Sequence, residues 1–236
     1  MEQALLDEIK IDAQQQGDTI TIKVTGPSLQ QRSVTFGVHI SPTARLRVAV
    51  PRSANINAVS GDGSIRAEAI DGRIMLRTTD GSVTAARLGG DVQIRSGDGS
   101  IRVDNATGKL DLETDDGSVT VAAQPSVLRL STGDGSVRVV IDPDTVMAEN
   151  WDITTSDGSV TLTLPGQFNA EIDAETSDGV VRSNHPLLGG EDDREDGDHD
   201  SRGERRERRR QLRSKIGDGG KLLKIRSGDG SIRIER

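Results

Sequence analysis

The residues of this chain with metal-ligating spacing are Asp196, Asp198, Asp200 and Glu207, at positions 1, 3, 5 and 12 of an EF-hand-type loop. Carboxylates so spaced can surround a hard cation such as calcium with oxygen. Position 6 of such a loop needs glycine for its sharp turn, and Ser201 stands there, with no apolar helix ahead of it. A plain acidic tract is the preferred reading, and no metal ligand is assigned. His39, His185 and His199 are scattered, with no pairing motif, nucleophile elbow, phosphate-binding loop or HExxH near them. No catalytic residue and no cofactor are therefore expected, and the protein is read as not an enzyme.

A second set of carboxylates is more regular. Asp62, Asp80, Asp98, Asp116 and Asp134 each precede Gly-Ser and a β-branched residue, at a fixed step of 18 residues. A fixed period means one structural unit stacked on itself. If the units stack, these carboxylates lie about 4.8 Å apart and repel one another. Arg66, Arg102, Arg138 and Arg233, four residues past the Asp, are candidates to compensate them, as are Arg77 and Arg95. Asp-Gly suits a turn because both residues tolerate a left-handed backbone, and the carboxylate can accept from the following amides. The serine two past the Asp is expected to bond backbone at the same turn. Carboxylates and arginines on an outer face could also serve glycan cleavage, but here they recur as columns, whereas an active site is one departure from a repeat.

The elements that position these residues follow from the columns. Counting from each Asp, position −6 is Ile56, Ile74, Val92, Leu110 and Leu128, and position −4 is Ala58, Leu76, Ile94, Leu112 and Leu130. Position +3 is Ile65, Val83, Ile101, Val119 and Val137, and +5 is Ala67, Ala85, Val103, Val121 and Val139. Apolar columns spaced by two define strands with one buried face. The same template fits around Asp157, Asp178 and Asp229, at spacings of 23, 21 and 51 residues. All the extra residues fall between +5 of one unit and −6 of the next, so that side of the unit is a tolerant surface loop.

Two folds accommodate strand, Asp-Gly turn, strand. In an antiparallel meander the four apolar columns share one face that needs a second layer, and no amphipathic helix is present to cover it. In a β-solenoid each unit is one coil and all columns face the axis. The solenoid is preferred, with the meander as the alternative. About eight coils at strand spacing give a rod of roughly 38 Å.

Residues 1–50 are out of register with the repeat. Asp18–Val24, Val34–Ile40 and Arg45–Val50 alternate as strands, and the segment is read as a β-rich N-terminal cap. Residues 51–185 carry the solenoid repeats. Residues 186–220 form a charged flexible insertion, acidic over Glu191–Asp200 and basic over Arg205–Arg213, with ERRERRRQLRSK as a short surface helix. Residues 221–236 return to the rod as a final coil.

Composition narrows the partners. The 236 residues carry a net charge of −8, which argues against a nucleic-acid binder, and the acidic block would compete for the basic one. Only 32% is hydrophobic and 1% aromatic, enough for a thin core of Val, Ile, Leu and Ala. There is no cysteine, no apolar run long enough for a membrane span, and no signal-peptide pattern at the N-terminus. Thr-x-Thr occurs at Thr19–Thr21 and Thr161–Thr163 but not as a column, which sets ice binding aside.

The SGDGSI, TDGSV and DDGSV turns, with the lead-in RLRVAVPRSANINAVSGDGSI from Arg45, resemble the adhesin-like family of bacterial β-strand-repeat proteins, domain of unknown function 4097. The resemblance covers about residues 40–185 and 223–236. It implies a right-handed solenoid, in keeping with the right-handed crossover rule for parallel strands. It also implies a place in the bacterial cell envelope or outside the cytoplasm. The expected function is an adhesin-like binding or structural module for a surface ligand, glycan or protein. The alternative is a scaffold that self-associates through unpaired coil edges.

Overall fold

The computed structural model describes residues 9–25, 45–191 and 210–236, with the backbone alone over 188–191. The chain divides into two compact units, residues 1–50 and 51–236. In the first, β1 (Lys10–Gln16) and β2 (Thr19–Thr25) form an antiparallel hairpin through Gly17 and Asp18. Gly17 takes the left-handed backbone that the two-residue turn requires. Arg45–Val50, expected as a strand, is irregular and exposed, and its alternation has no partner strand among the described residues. Val34–Ile40 lies outside the described residues.

The second unit is all β, with no helix among the described residues. Its strands are β3 (Ile56–Ser60), β4 (Ile65–Glu68), β5 (Asp71–Thr78), β6 (Val83–Ala86), β7 (Gly89–Ser96), β8 (Ile101–Thr114), β9 (Val119–Thr132) and β10 (Val137–Ile141). There follow β11 (Trp151–Thr155), β12 (Val160–Thr163), β13 (Ala170–Thr176), β14 (Val181–Ser183), β15 (Leu188–Glu191), β16 (Gln211–Ile216), β17 (Leu222–Ser227) and β18 (Ile232–Glu235). Over the regular repeats the strands pair in parallel with a register of 18 residues: Ile74 lies opposite Ile56 and Val92, and Val83 opposite Ile65 and Ile101. A meander would pair strands antiparallel across each Asp-Gly turn. The parallel register makes the unit solenoid-like.

The reason is visible in burial. The −6, −4, +3 and +5 side chains face inward and stack on their equivalents, and from Ile74 to Val139 every one is buried. Stacking each apolar side chain on its copy leaves no apolar sheet face needing a second layer. The loop side of the repeat contributes too. Ile70, Leu88 and Ala106 turn inward there, and the residue before each has positive φ, 57° at Ala69, 54° at Arg87 and 54° at Asn105. Where this side lengthens, at 142–150 and 165–169, Met147 and Phe168 fill it, and the Phe168 ring packs 5.7 Å from that of Trp151.

The stacking order departs from the chain order. β17 pairs with β11 on one edge and β13 on the other, and β18 lies between β12 and β14, all in parallel. The C-terminal repeat, expected as the final coil, is thus inserted between the repeats of Asp157 and Asp178. It is last in sequence but internal in the stack. The free edge of β13 is covered by β16, antiparallel, and β16 by β15. This corrects the helix expected over ERRERRRQLRSK for its described part. Gln211–Ile216 is a strand, because the unpaired edge of β13 supplies a backbone partner that a surface helix would leave unused.

Candidate functional site

The eight turn aspartates, Asp62, Asp80, Asp98, Asp116, Asp134, Asp157, Asp229 and Asp178 in stacking order, all face solvent. Although Asp157 is exposed, partial loss of the water around its carboxyl raises its pKa above its ordinary 3.8. The charges of Asp134 and Asp229 on either side, and a hydrogen bond to Asp134, push it further up. The expected like-charge ladder is therefore felt at the point where the inserted repeat meets its neighbour. The expected arginine compensation is not seen. Arg66 pairs with Glu68 at 3.7 Å, Arg102 with Asp104 at 2.8 Å, Arg233 with Glu235 at 3.8 Å and Arg95 with Glu113 at 3.0 Å. These acids stand beside their arginines on the same strand faces, nearer than the turns, and no described residue forms an ion pair with a turn aspartate.

From Gly81 onward the glycine after each turn aspartate owes its identity to space rather than to a left-handed backbone, correcting the turn argument above. None of these glycines has positive φ. A Cβ on Gly99 would lie 2.5 Å from the Gly81 carbonyl carbon and 2.8 Å from the Ser82 nitrogen, and Gly117 and Gly135 meet the same obstruction. Repeats pack backbone on backbone at this column.

The turn is held by a column that the apolar template overlooked. Position −2 is Ser60, Thr78, Ser96, Thr114, Thr132, Thr155, Ser227 and Thr176, which continues the spacing of two from −6 and −4. From Thr78 onward these side chains are buried. The Thr155 hydroxyl accepts from the Gly158 amide at 3.1 Å and donates toward the carbonyls of Gly135 (3.1 Å) and Gly133 (3.2 Å) in the preceding repeat. Ser227 donates to Gly158 at 3.0 Å, and Thr176 to Gly230 at 2.7 Å. A buried polar group is tolerated only when bonded, and Thr155, Ser227 and Thr176 each satisfy the backbone of two repeats at once. The amide after the turn Asp goes to this hydroxyl, as in Gly63 to Ser60 at 3.1 Å, and not to the carboxylate. Of the +2 serines, the Ser159 and Ser231 hydroxyls accept from the amides of Ser231 and Val180, both at 3.3 Å, in the neighbouring repeat.

The inserted repeat is the most specifically held element. Leu222 N donates to Asn150 Oδ1 at 3.0 Å, Asp218 N to Asn169 Oδ1 at 2.9 Å, and Arg236 N to Asn184 Oδ1 at 3.0 Å. Lys224 Nζ lies 3.6 Å from Asp152. Arg226 reaches Asp173 with Nη2 on Oδ2 at 2.7 Å and Nη1 on its carbonyl at 2.8 Å, and extends Nε to Glu175 at 3.4 Å. Burial alone would raise the Asp173 carboxyl. The Arg226 hydrogen bond and charge, with Arg213 behind them, outweigh it and hold the carboxyl below its ordinary 3.8. Arg213 Nε stands 3.5 Å from Oδ1, which has no well-formed hydrogen bond among the described residues, and acts chiefly by charge. Beside the insertion His185 is buried, with Nε2 3.1 Å from the Pro165 carbonyl and Nδ1 3.3 Å from that of Pro186. An open depression of about 650 Å³ adjoins the start of the inserted repeat, lined by Asp144, Gln167, Asn169, Gly219 and Lys221 among others.

His39, His199 and the Asp196, Asp198, Asp200 and Glu207 set lie outside the described residues. Among the described residues no cluster of three or more metal-ligating side chains occurs.

A parallel β-repeat protein with polar outer columns and hydroxyl-bonded turns is thus the class that fold and site define. The chain belongs to the Toastrack DUF4097 family, which matches residues 3–235. No curated protein and no solved structure matches it.

Proposed function

We propose that this protein is a non-catalytic, right-handed β-solenoid of about eight coils with Asp-Gly corners, acting as an adhesin-like binding module of the bacterial cell envelope. The observation that carries this reading is the regularity of the outer face. Side chains at +4 run Arg66, Thr84, Arg102, Thr120, Arg138, Thr161, Arg233 and Arg182 in stacking order, set by parallel pairing at strand spacing. Their backbones are fixed from within by the stacked apolar columns, so an extended ligand would meet polar groups already ordered for it. Preorganisation of this kind lowers the entropic cost of binding. A glycan or a protein surface is the partner proposed. The test is binding of the purified chain to glycan arrays and to immobilised envelope proteins, against a variant with Arg66, Arg102 and Arg138 changed to Ala. Specific binding reduced at least about tenfold in the variant, the loss of some 1.4 kcal/mol, supports the reading. Absence of any ligand, or equal binding by both chains, overturns it.

A second reading, a scaffold assembling through coil edges, has its own observation. β3 and β4 at one end, and β14 at the other, each have one strand partner among the described residues. Sedimentation velocity over a concentration series, with and without calcium, tests it. Open-ended growth of large species supports the scaffold, and a fixed small species at all concentrations rejects it.

A further inference from the structure

The position of the C-terminal repeat has a consequence for association that differs from stacking at the ends. We propose that the gap between the repeats of Asp157 and Asp178 is a strand-accepting site, and that it takes residues 221–236 of a second copy of this chain as well as its own. Copies would then be joined by strand exchange.

Three observations carry this. The acceptor precedes the donor in the chain: β11 to β14 lie between residues 151 and 183, and the segment that fills them begins at residue 222. Until it arrives, β11 and β12 face β13 and β14 across two strand spacings, roughly 10 Å, with unpaired backbone on both sides. Next, the gap recognises this segment by chemistry as well as by shape. Asn150 binds the Leu222 amide at its start, Asn184 binds its last residue, Asp152 meets Lys224, and Asp173 meets Arg226. All of these groups belong to the acceptor side, and their contacts are the same whichever copy supplies the segment. Finally, the connection from β16 to β17 is built to reopen. These strands lie on opposite edges of β13, and the chain between them passes through Gly217, Gly219 and Gly220, at φ of 56°, 80° and 124°. Glycine moves from these angles to an extended backbone without steric cost, and five residues so extended span about 17 Å. Closed and exchanged forms then differ at the hinge and in the concentration dependence of a bimolecular step, the usual condition for domain swapping.

The chain has no native cysteine, which permits a direct test. Asp152 and Lys224 are opposite each other in register, so cysteines at these positions lie at a separation that a disulfide can bridge. Full-length Asp152→Cys and Lys224→Cys chains are refolded together over a concentration series and oxidised, with the double variant Asp152→Cys/Lys224→Cys as the within-chain control. The expected result is a disulfide-linked pair of the two single variants, whose fraction of the chains rises about tenfold for each tenfold rise in concentration while it is the minor species. Each single variant alone should give none. Closure of the control within one chain, with no product from the mixture at any concentration, overturns the proposal. If the control itself does not close, the mass of the refolded native chain by light scattering decides. A discrete dimer growing with concentration supports exchange, and a monomer throughout rejects it. Loss of ligand binding in the arginine variant leaves these readouts untouched, so the two proposals fail separately.

Discussion

At the scale of single residues, glycines of the same sequence motif have different reasons to be glycine. Gly99 is pressed against the backbone of the preceding repeat, whereas a Cβ on Gly61 meets nothing within 4 Å. Gly99→Ala should destabilise by about 1–3 kcal/mol as overpacking does, and Gly61→Ala should be nearly neutral, as read by denaturant midpoints. The buried hydroxyls behave as bonded polar groups. Thr155→Val leaves the Gly158 amide and the Gly135 carbonyl without this partner, while the Gly133 carbonyl keeps the Ser156 and Asp157 amides, and should cost about 1–3 kcal/mol. Thr155→Ser keeps the bonds and should cost far less. Asp157 works against the fold. Its carboxyl is raised, so the folded state is penalised as pH climbs from 3.8 through the raised value, and the penalty is complete above it. Asp157→Asn should raise the melting temperature at neutral pH, with the gain shrinking in high salt and vanishing well below pH 3.8.

At the scale of elements, β17 is tied to its neighbours by side chains as well as by the backbone ladder. Asp173 on β13, held below its ordinary value chiefly by Arg226, stabilises the fold above pH 3.8, and that contribution is lost as pH falls through the depressed value. Asp173→Asn should lower stability at neutral pH by about 1–3 kcal/mol, since hydrogen bonds to charged groups are the stronger ones. Acid titration of the melting temperature checks the sign. The native chain should converge on the variant at low pH, because the protonated carboxyl no longer attracts Arg226. The strand at Gln211–Ile216 shows what element-level reading of the sequence misses. RQLRSKI has no decisive period and sits beside a basic run, so its own residues do not choose between helix and strand. The edge of β13 chooses, by offering a full antiparallel register from Ala170 opposite Ile216 to Glu175 opposite Gln211.

At the scale of the whole second unit, stability should be unevenly distributed. Ending the chain after Gly220 removes β17 and β18 from inside the stack and strips both neighbours of a partner. It should abolish amide protection over residues 170–183 while leaving residues 74–139 protected, as hydrogen exchange would show. Protection retained at 170–183 would mean that the last two repeats stand without the insertion. The expected contrast follows from the near one-dimensional contacts of stacked repeats, where each unit depends on its immediate neighbours.

The sequence alone determined the repeat, the inward columns, the exposed turn aspartates and the loop side that accepts insertions, because these depend on local period and on residue types that tolerate a bend. The hydroxyl column at −2 was legible at the same period of two, but a search for apolar residues passed over it. The tertiary structure alone decided why Gly99 and its equivalents are glycine, since close approach of two backbones leaves no mark on either segment separately. It also decided the pairing of the arginines, which depends on distances between strand faces. The place of the C-terminal repeat is the clearest case. Leu223, Ile225, Ile232 and Ile234 match the columns of every repeat equally well, so periodicity permits this unit at either end or anywhere between. Asn150, Asn184 and Asp173, distant in sequence, select the one gap where its ends and its charges find partners.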